Sequence, residues 1–281
     1  MTTPSLPPST RIAFIGGGNM ASAIMGGLIR QGLPAAQIDA LEPFEATRAA
    51  LLAQHGVQAH AAAGDFLAAA DVLVWAVKPQ NFGEAAAPVA PHLQARAQAP
   101  LQLSVMAGIR CDGIAAASGS ARIVRCMPNT PALVGQGMTG LFAAPQASAE
   151  DRACAEAVMR ATGDVLWVER ESLLEAVTAL SGSGPAYVFY FLEAMQQAGV
   201  ALGLQPDQAR RLAVATFAGG SALAAQSPEP LATLRERVTS KGGTTFAALS
   251  VMADAGMADS FVRAMHASAA RAKELGDAFG R

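Results

Sequence analysis

The sequence predicts an α/β protein: a doubly wound, mostly parallel sheet over residues 11–170, followed by an all-helical domain over residues 171–281. Three observations predict it. Short, continuous apolar runs recur through the first part with alanine-rich helical stretches between them, the pattern of βαβ units whose strands are buried on both faces. The first run leads straight into a glycine-rich turn and a helical stretch. After Glu171 no strand pattern returns, and helical stretches follow one another with start and stop signals at their joints.

Taken in order, residues 1–10 (MTTPSLPPST) hold three prolines and no apolar core. They read as a disordered leader and a poor signal peptide. Strands are expected at Arg11–Ile15, Gln37–Leu41, Asp71–Val77, Leu101–Met106, Arg122–Cys126 and Val165–Val168. Helices of the second part are expected at 172–180, 185–202, 206–226, 230–239, 244–255 and 257–278. Pro185 suits a first helical turn, Gly203 closes one helix, and Gln205-Pro206-Asp207 opens the next. The segment Ala186–Leu192 is apolar almost all round. Its helix needs cover on more than one side, either inside its own small domain or, the favoured reading, against a second subunit.

Composition excludes several classes of function. Of 281 residues, 52% are hydrophobic and 15% charged, which is the opposite of a disordered chain. A net charge of −2 leaves no basic surplus for binding nucleic acid. Cys111, Cys126 and Cys154 lack the CxxC spacing of a zinc site and are too few for a disulfide framework, so reduced thiols in a cytoplasmic protein and no metal are expected. No run of about 18 apolar residues is free of charge or glycine, so no membrane span is expected.

The first chemistry-bearing motif is Gly16-Gly17-Gly18-Asn19-Met20-Ala21, which reads GxGxxA from Gly16. Gly16 permits a tight turn, Gly18 lets backbone approach a pyrophosphate, and Ala21 lets the helix pack closely on the sheet. The motif alone is unspecific; its place between an apolar strand and a helix makes it a dinucleotide signature of the Rossmann type. Glu42 ends the second strand, at about the distance (~20 residues) where an acid accepts from a ribose 2′-hydroxyl. That reading favours NAD over NADP; an acid stabilising a helix start is the equal alternative. Arg48, a turn further on, is a cation that could offset it. Trp75-Ala76-Val77-Lys78-Pro79-Gln80 brings a lysine to a strand's carboxyl end, where it meets cofactor phosphate or ribose or is simply a surface lysine.

Two later stretches do not read as packing. Ser181–Tyr187 (SGSGPAY) offers close backbone approach and small hydroxyls before a helix, or simply a helix–break–helix joint. Val238–Thr245 (VTSKGGTT) makes a helix N-terminus rich in spare N–H donors, with Lys241 adding positive charge: a carboxylate site, or an N-capped loop between helices. His55, His60, His92 and His266 lie outside every motif, and the lysines are Lys78, Lys241 and Lys273 alone. A hydride enzyme so short of acid–base groups suits an imine, already cationic when protonated, better than an alcohol.

On these residues the chain resembles the pyrroline-5-carboxylate reductase family over nearly its whole length after the leader. The resemblance rests on FIGGGNMA (Phe14–Ala21), AVKPQ (Ala76–Gln80), RxMPNTP (Arg125–Pro131), SGSGPAY and VTSKGGTT, the last two together being specific. It implies an N-terminal Rossmann domain, a C-terminal helical domain that interlocks two subunits, and dimers often assembled into decamers. It implies NADPH or NADH as cofactor, held by Gly16, Gly18, Asn19, Met20, Ala76, Val77, Lys78, Pro79 and Ala107, with Glu42 beside them. L-1-pyrroline-5-carboxylate, the precursor of L-proline, is then held between the nicotinamide and the partner subunit's loop Ser240, Gly242, Gly243, Thr244 and Thr245, with the Thr245 hydroxyl near the ring nitrogen. The chain departs from the family's pattern at Lys241, where many members have proline, and at Glu42, where NADP-preferring members carry small or basic residues. Glu229 is only a loose counterpart of an acid some members place upstream of the loop. A β-hydroxyacid dehydrogenase and a non-catalytic NAD(P)-sensing protein are the rival readings; the first needs a lysine that no position between Lys78 and Lys241 supplies.

Overall fold

The computed structural model describes residues 5–94 and 98–279. Residues 1–4 of the expected leader lie outside them. In the rest of it Leu6 packs on the core, the Thr10 N–H donates to the Pro7 carbonyl, and Gln37 Nε2 donates to the Pro8 carbonyl at 2.7 Å. These contacts tie residues 5–10 to the sheet.

Eight strands form one sheet: β1 (Ile12–Ile15), β2 (Ile38–Leu41), β3 (Gln58–His60), β4 (Val72–Trp75), β5 (Leu101–Ser104), β6 (Ile123–Met127), β7 (Gly137–Ala143) and β8 (Gly163–Trp167). Their order is β3-β2-β1-β4-β5-β6-β7-β8. Every neighbouring pair is parallel except β6 and β7. The expected α/β class and all six expected strands are present. β3 and β7 were not expected: β3 is a half-exposed edge of three residues, and glycines at 137 and 140 break the apolar run of β7.

The apolar runs read as strands because successive side chains enter opposite faces. Ile12, Phe14, Val72, Val74, Leu101 and Leu103 join one core, while Ala13, Ile15, Leu73 and Trp75 join the other. Helix Asn19–Arg30 covers the first core with Ile24, Met25 and Leu28. Trp75 is fully buried, and its indole N–H donates to Gln102 Oε1 at 2.8 Å, so neither polar group is left unpaired in the core.

The chain divides into two compact units, one reaching to Ser183 and resuming at Ser268, the other Gly184–Ala267. The second is wholly helical. It holds Gly184–Ala201, Pro206–Gln226, Leu231–Arg237, Thr244–Asp254 and the start of Met257–Phe279. Gly199 lets the first two helices close on Ala209, and the rings of Tyr187 and Phe191 meet Phe261 at 5.8 Å. Yet the helices Gly184–Ala201, Leu231–Arg237 and Thr244–Asp254 bury no residue, and Phe189, Tyr190, Leu223, Leu231 and Val251 stand in solvent.

A half-buried ion pair fixes the helix Ala149–Arg160 to the sheet. Asp151 and Ser148 form a reciprocal cap at that helix's start, and Arg122, just ahead of β6, donates to Asp151 at 2.6 Å. Burial alone would raise the Asp151 carboxyl, but the donors from Arg122 and Ser148 outweigh it and hold it below the ordinary range. The cysteines are free, and burial raises all three thiols, Cys154 to about 11. They stay protonated and poorly nucleophilic at neutral pH.

A depressed carboxyl contributes stability above its unfolded pKa and loses it as pH falls through the folded one. Asp151→Asn is therefore expected to cost about 1.5–3 kcal/mol at pH 7, measured by urea unfolding. The gap from wild type should narrow below about pH 4.

Candidate active site

The strand register levels one edge of the sheet. Ile15 pairs with Leu41 on one side and Trp75 on the other, and Trp75 pairs with Ser104. The residues that follow, Gly16, Glu42, Ala76 and Val105, therefore form one rim. It lies where the strand order reverses, between β1 and β4, the place where open α/β sheets take ligands.

The glycine turn fits an anion there. The Gly16 N–H donates to the Leu41 carbonyl at 2.9 Å, and φ is +98°. A side chain at 16 would meet the Ala76 carbonyl oxygen at 2.7 Å. Gly18 differs: a Cβ there would meet no protein atom within 4 Å. That open space lies at the N-cap of helix Asn19–Arg30, which no side chain caps. Its first N–H groups, from Asn19 and Met20 onward, are free for an outside acceptor. Ala21 is fully buried on the sheet, as the motif requires.

Around this turn, Ala76 and Val77 are half-buried, Lys78 is exposed, and Pro79 opens a short 3₁₀ turn. Ala107 lies in the turn after β5, held by the Met106 N–H on Ser104 Oγ at 3.3 Å. The neighbouring Gly108 and Arg110 receive the end of the last helix: Gly276 lies against Gly108, and Arg110 pairs with Asp277. No local sequence signal announces that contact, because its partners are far apart in the chain. Glu42 is 6% exposed, with Oε2 accepting from the Gly17 N–H at 2.8 Å and Oε1 from the Phe44 N–H at 2.9 Å. It supports the helix start and the glycine turn together. Arg48 donates to the carbonyls of Glu42 and Pro43 at 3.0 and 2.7 Å.

SGSGPAY begins in a π-helical turn, Thr178–Gly182, closed by the Ser183 N–H on the Thr178 carbonyl, and ends in the first turn of helix Gly184–Ala201. Asn129, from the MPNTP stretch, spans the gap. Its Nδ2 reaches the Ser181 carbonyl and hydroxyl at 3.2 Å, and its Oδ1 accepts from the Met138 N–H. Sequence reasoning used MPNTP only as a family mark; a lone Asn inside it carries no readable role. Arg125 of the same stretch is buried and pairs with Glu171 at 2.7 Å.

In the helical unit, VTSKGGTT forms a tight turn into helix Thr244–Asp254. Gly242 has φ +74°, and Gly243 is the N-cap with no side-chain cap. The Gly243 N–H is taken by the Ser240 carbonyl at 3.0 Å. The amides of Thr244 and Thr245 stand in the first turn, where helices leave N–H groups unpaired. Ser240, Lys241, Thr244 and Thr245 are exposed. Glu229 is engaged elsewhere, paired with Arg237 at 2.6 Å.

Comparison with known proteins agrees with this layout. Residues 171–275 match the family model for pyrroline-5-carboxylate reductase dimerisation, and residues 11–108 match one described as NADP oxidoreductase coenzyme F420-dependent. A pyrroline-5-carboxylate reductase of Pseudomonas aeruginosa is 42% identical over 272 residues, covering 96% of this chain and 98% of that one. The chain belongs to the pyrroline-5-carboxylate reductase family. A soybean (Glycine max) member is 34% identical over 95% of this chain and 96% of its own. The solved pyrroline-5-carboxylate reductase of Coxiella burnetii superposes with a TM-score of 0.88 at 37% identity, covering 95% of this chain and 98% of that one. The Plasmodium falciparum enzyme, solved with NADP bound, does so at 0.84 and 25%, covering 96% and 99%. The family's helical half is a dimerisation domain, which accounts for the apolar faces left uncovered here.

The two glycines should separate stability from binding. Gly18→Ala should leave the melting temperature near wild type, since its methyl meets no protein atom, yet weaken NAD(P)H binding about tenfold or more in a fluorescence titration. Gly16→Ala should lower the melting temperature as well, through its positive φ and the clash with Ala76.

Proposed function

We infer that the chain reduces L-1-pyrroline-5-carboxylate to L-proline with NADPH or NADH, the last step of proline biosynthesis. The observation that carries this is the pairing, in a family member that spans 98% of a relative's length, of an open glycine turn at the sheet's rim with an uncapped, glycine-led helix start at Thr244. The first suits a dinucleotide pyrophosphate, the second a small carboxylate.

The rim residues Gly16, Gly18, Asn19, Met20, Ala76, Val77, Lys78, Pro79 and Ala107 are assigned to the cofactor. The reduced nicotinamide, when bound, supplies the hydride for the ring's imine carbon. The substrate carboxylate is assigned to Ser240, Gly242, Gly243, Thr244 and Thr245, supplied by the partner subunit. Because the Gly243 N–H already serves the Ser240 carbonyl, the Thr244 and Thr245 amides and the Ser240 hydroxyl carry most of that grip. Lys241 adds positive charge at the loop's edge. The Thr245 hydroxyl orients the ring nitrogen, and solvent supplies the proton that keeps the imine cationic. This scheme asks for positioning and a dry pocket rather than a tuned base, in line with histidines that lie outside the motifs. Dimers that assemble further into decamers, residues 11–170 as the cofactor domain with 171–281 as the substrate and dimerisation domain, and a cytoplasmic location complete the reading. Raised, unpaired thiols suit a reducing compartment.

Steady-state kinetics of Thr245 variants test the assignment. Thr245→Ala and Thr245→Val should each lower kcat about tenfold or more with the melting temperature unchanged. Wild-type kcat in either variant removes Thr245 from the mechanism. Ser240→Ala should act mainly on KM, as loss of a contact made equally in ground and transition states.

A further inference from the structure

We propose that Glu42 selects the coenzyme and makes this chain prefer NADH to NADPH. The inference rests on the reading of the rim as a dinucleotide site. It concerns the adenosine end, which in this fold lies past the carboxyl end of β2.

Glu42 stands there with its charge fixed in place. Its two oxygens are held by the Gly17 and Phe44 amides, and the residue is almost wholly buried. A side chain pinned by two backbone donors cannot swing aside to admit a phosphate. Its charge is also uncompensated by any ion pair among the described residues. Arg48 turns its Nη1 donor to the backbone carbonyls of Glu42 and Pro43 instead of to the carboxylate.

The chemistry of the two coenzymes separates at this point. Each Glu42 oxygen holds one donor and retains acceptor capacity, so a ribose 2′-hydroxyl can donate to it. A 2′-phosphate is an acceptor carrying negative charge, and a buried carboxylate is poorly screened by salt. The neighbouring Phe44 ring is 72% exposed at the same rim, an apolar face suited to the flat side of an adenine. An open aromatic beside a fixed acceptor suits an adenosine with an unmodified ribose.

The test uses full-length wild type and Glu42→Gln. Dissociation constants for NAD⁺ and NADP⁺ are measured by calorimetry, and kcat/KM for NADH and NADPH with pyrroline-5-carboxylate. Wild type should favour the unphosphorylated coenzyme about tenfold or more in both measurements. Glu42→Gln removes the charge and keeps one acceptor, and should cut that ratio about tenfold. An unchanged ratio in folded Glu42→Gln overturns the role of Glu42, and should that variant not fold, a wild-type ratio that favours the phosphorylated coenzyme still overturns the proposal. Equal or better binding and turnover with the phosphorylated coenzyme overturns the proposal while leaving the reductase reading intact. Tighter NAD⁺ binding without turnover on either coenzyme supports the role of Glu42 and overturns the reductase reading.

Discussion

The helical unit cannot cover its own apolar surface, and much of the protein's design follows from that shortfall. Fewer than a hundred residues of helix give too little interior to bury every apolar side chain they carry. Gly184–Ala201, the most apolar helix, keeps none of its residues out of solvent. Burial of such faces is worth roughly 25 cal/mol per Å² of apolar surface, so leaving them open is strongly unfavourable. A second copy of the same face is the economical cover, and the family's dimerisation model falls on this part of the chain. Self-association is thus part of the fold of this unit.

The sheet obeys the opposite logic. Its two cores are complete within one chain, and its register brings four strand ends to a common level without outside help. The glycine turn is rigid where it meets Ala76 and open where Gly18 faces out. A ligand therefore meets preformed backbone donors, which lowers the ordering cost of binding.

Most of this was legible in the sequence because the signals were local. Continuous apolar runs gave β1, β2, β4, β5, β6 and β8, and cap residues placed the later helices within a few positions. The GxGxxA turn was legible because strand, glycines and small helix residue are neighbours in the chain. What escaped depends on pairing over distance. β7 is defined by its partners β6 and β8, not by its own glycine-broken run. The bonds from Asn129 to Ser181, the pairing of Arg110 with Asp277, and the closed position of Glu42 involve residues no spacing rule connects. Glu42 shows the limit well: the sequence offered ribose acceptance and helix-start support as alternatives, and the structure shows the helix-start bond to the Phe44 N–H together with a bond to the Gly17 N–H that neither alternative contained.

Subunit mixing asks whether the glycine turn of one chain works with the Ser240–Thr245 loop of another, as the proposed site requires. Gly18→Glu puts a carboxylate in the open pyrophosphate space, and Thr245→Glu puts one at the substrate's acid; each chain alone should be inactive. Co-expressed and paired at random, the two should regain about a quarter of wild-type activity, because half the dimers then contain one site free of both changes. A mixture no more active than its separate components would place both halves of the site in a single chain.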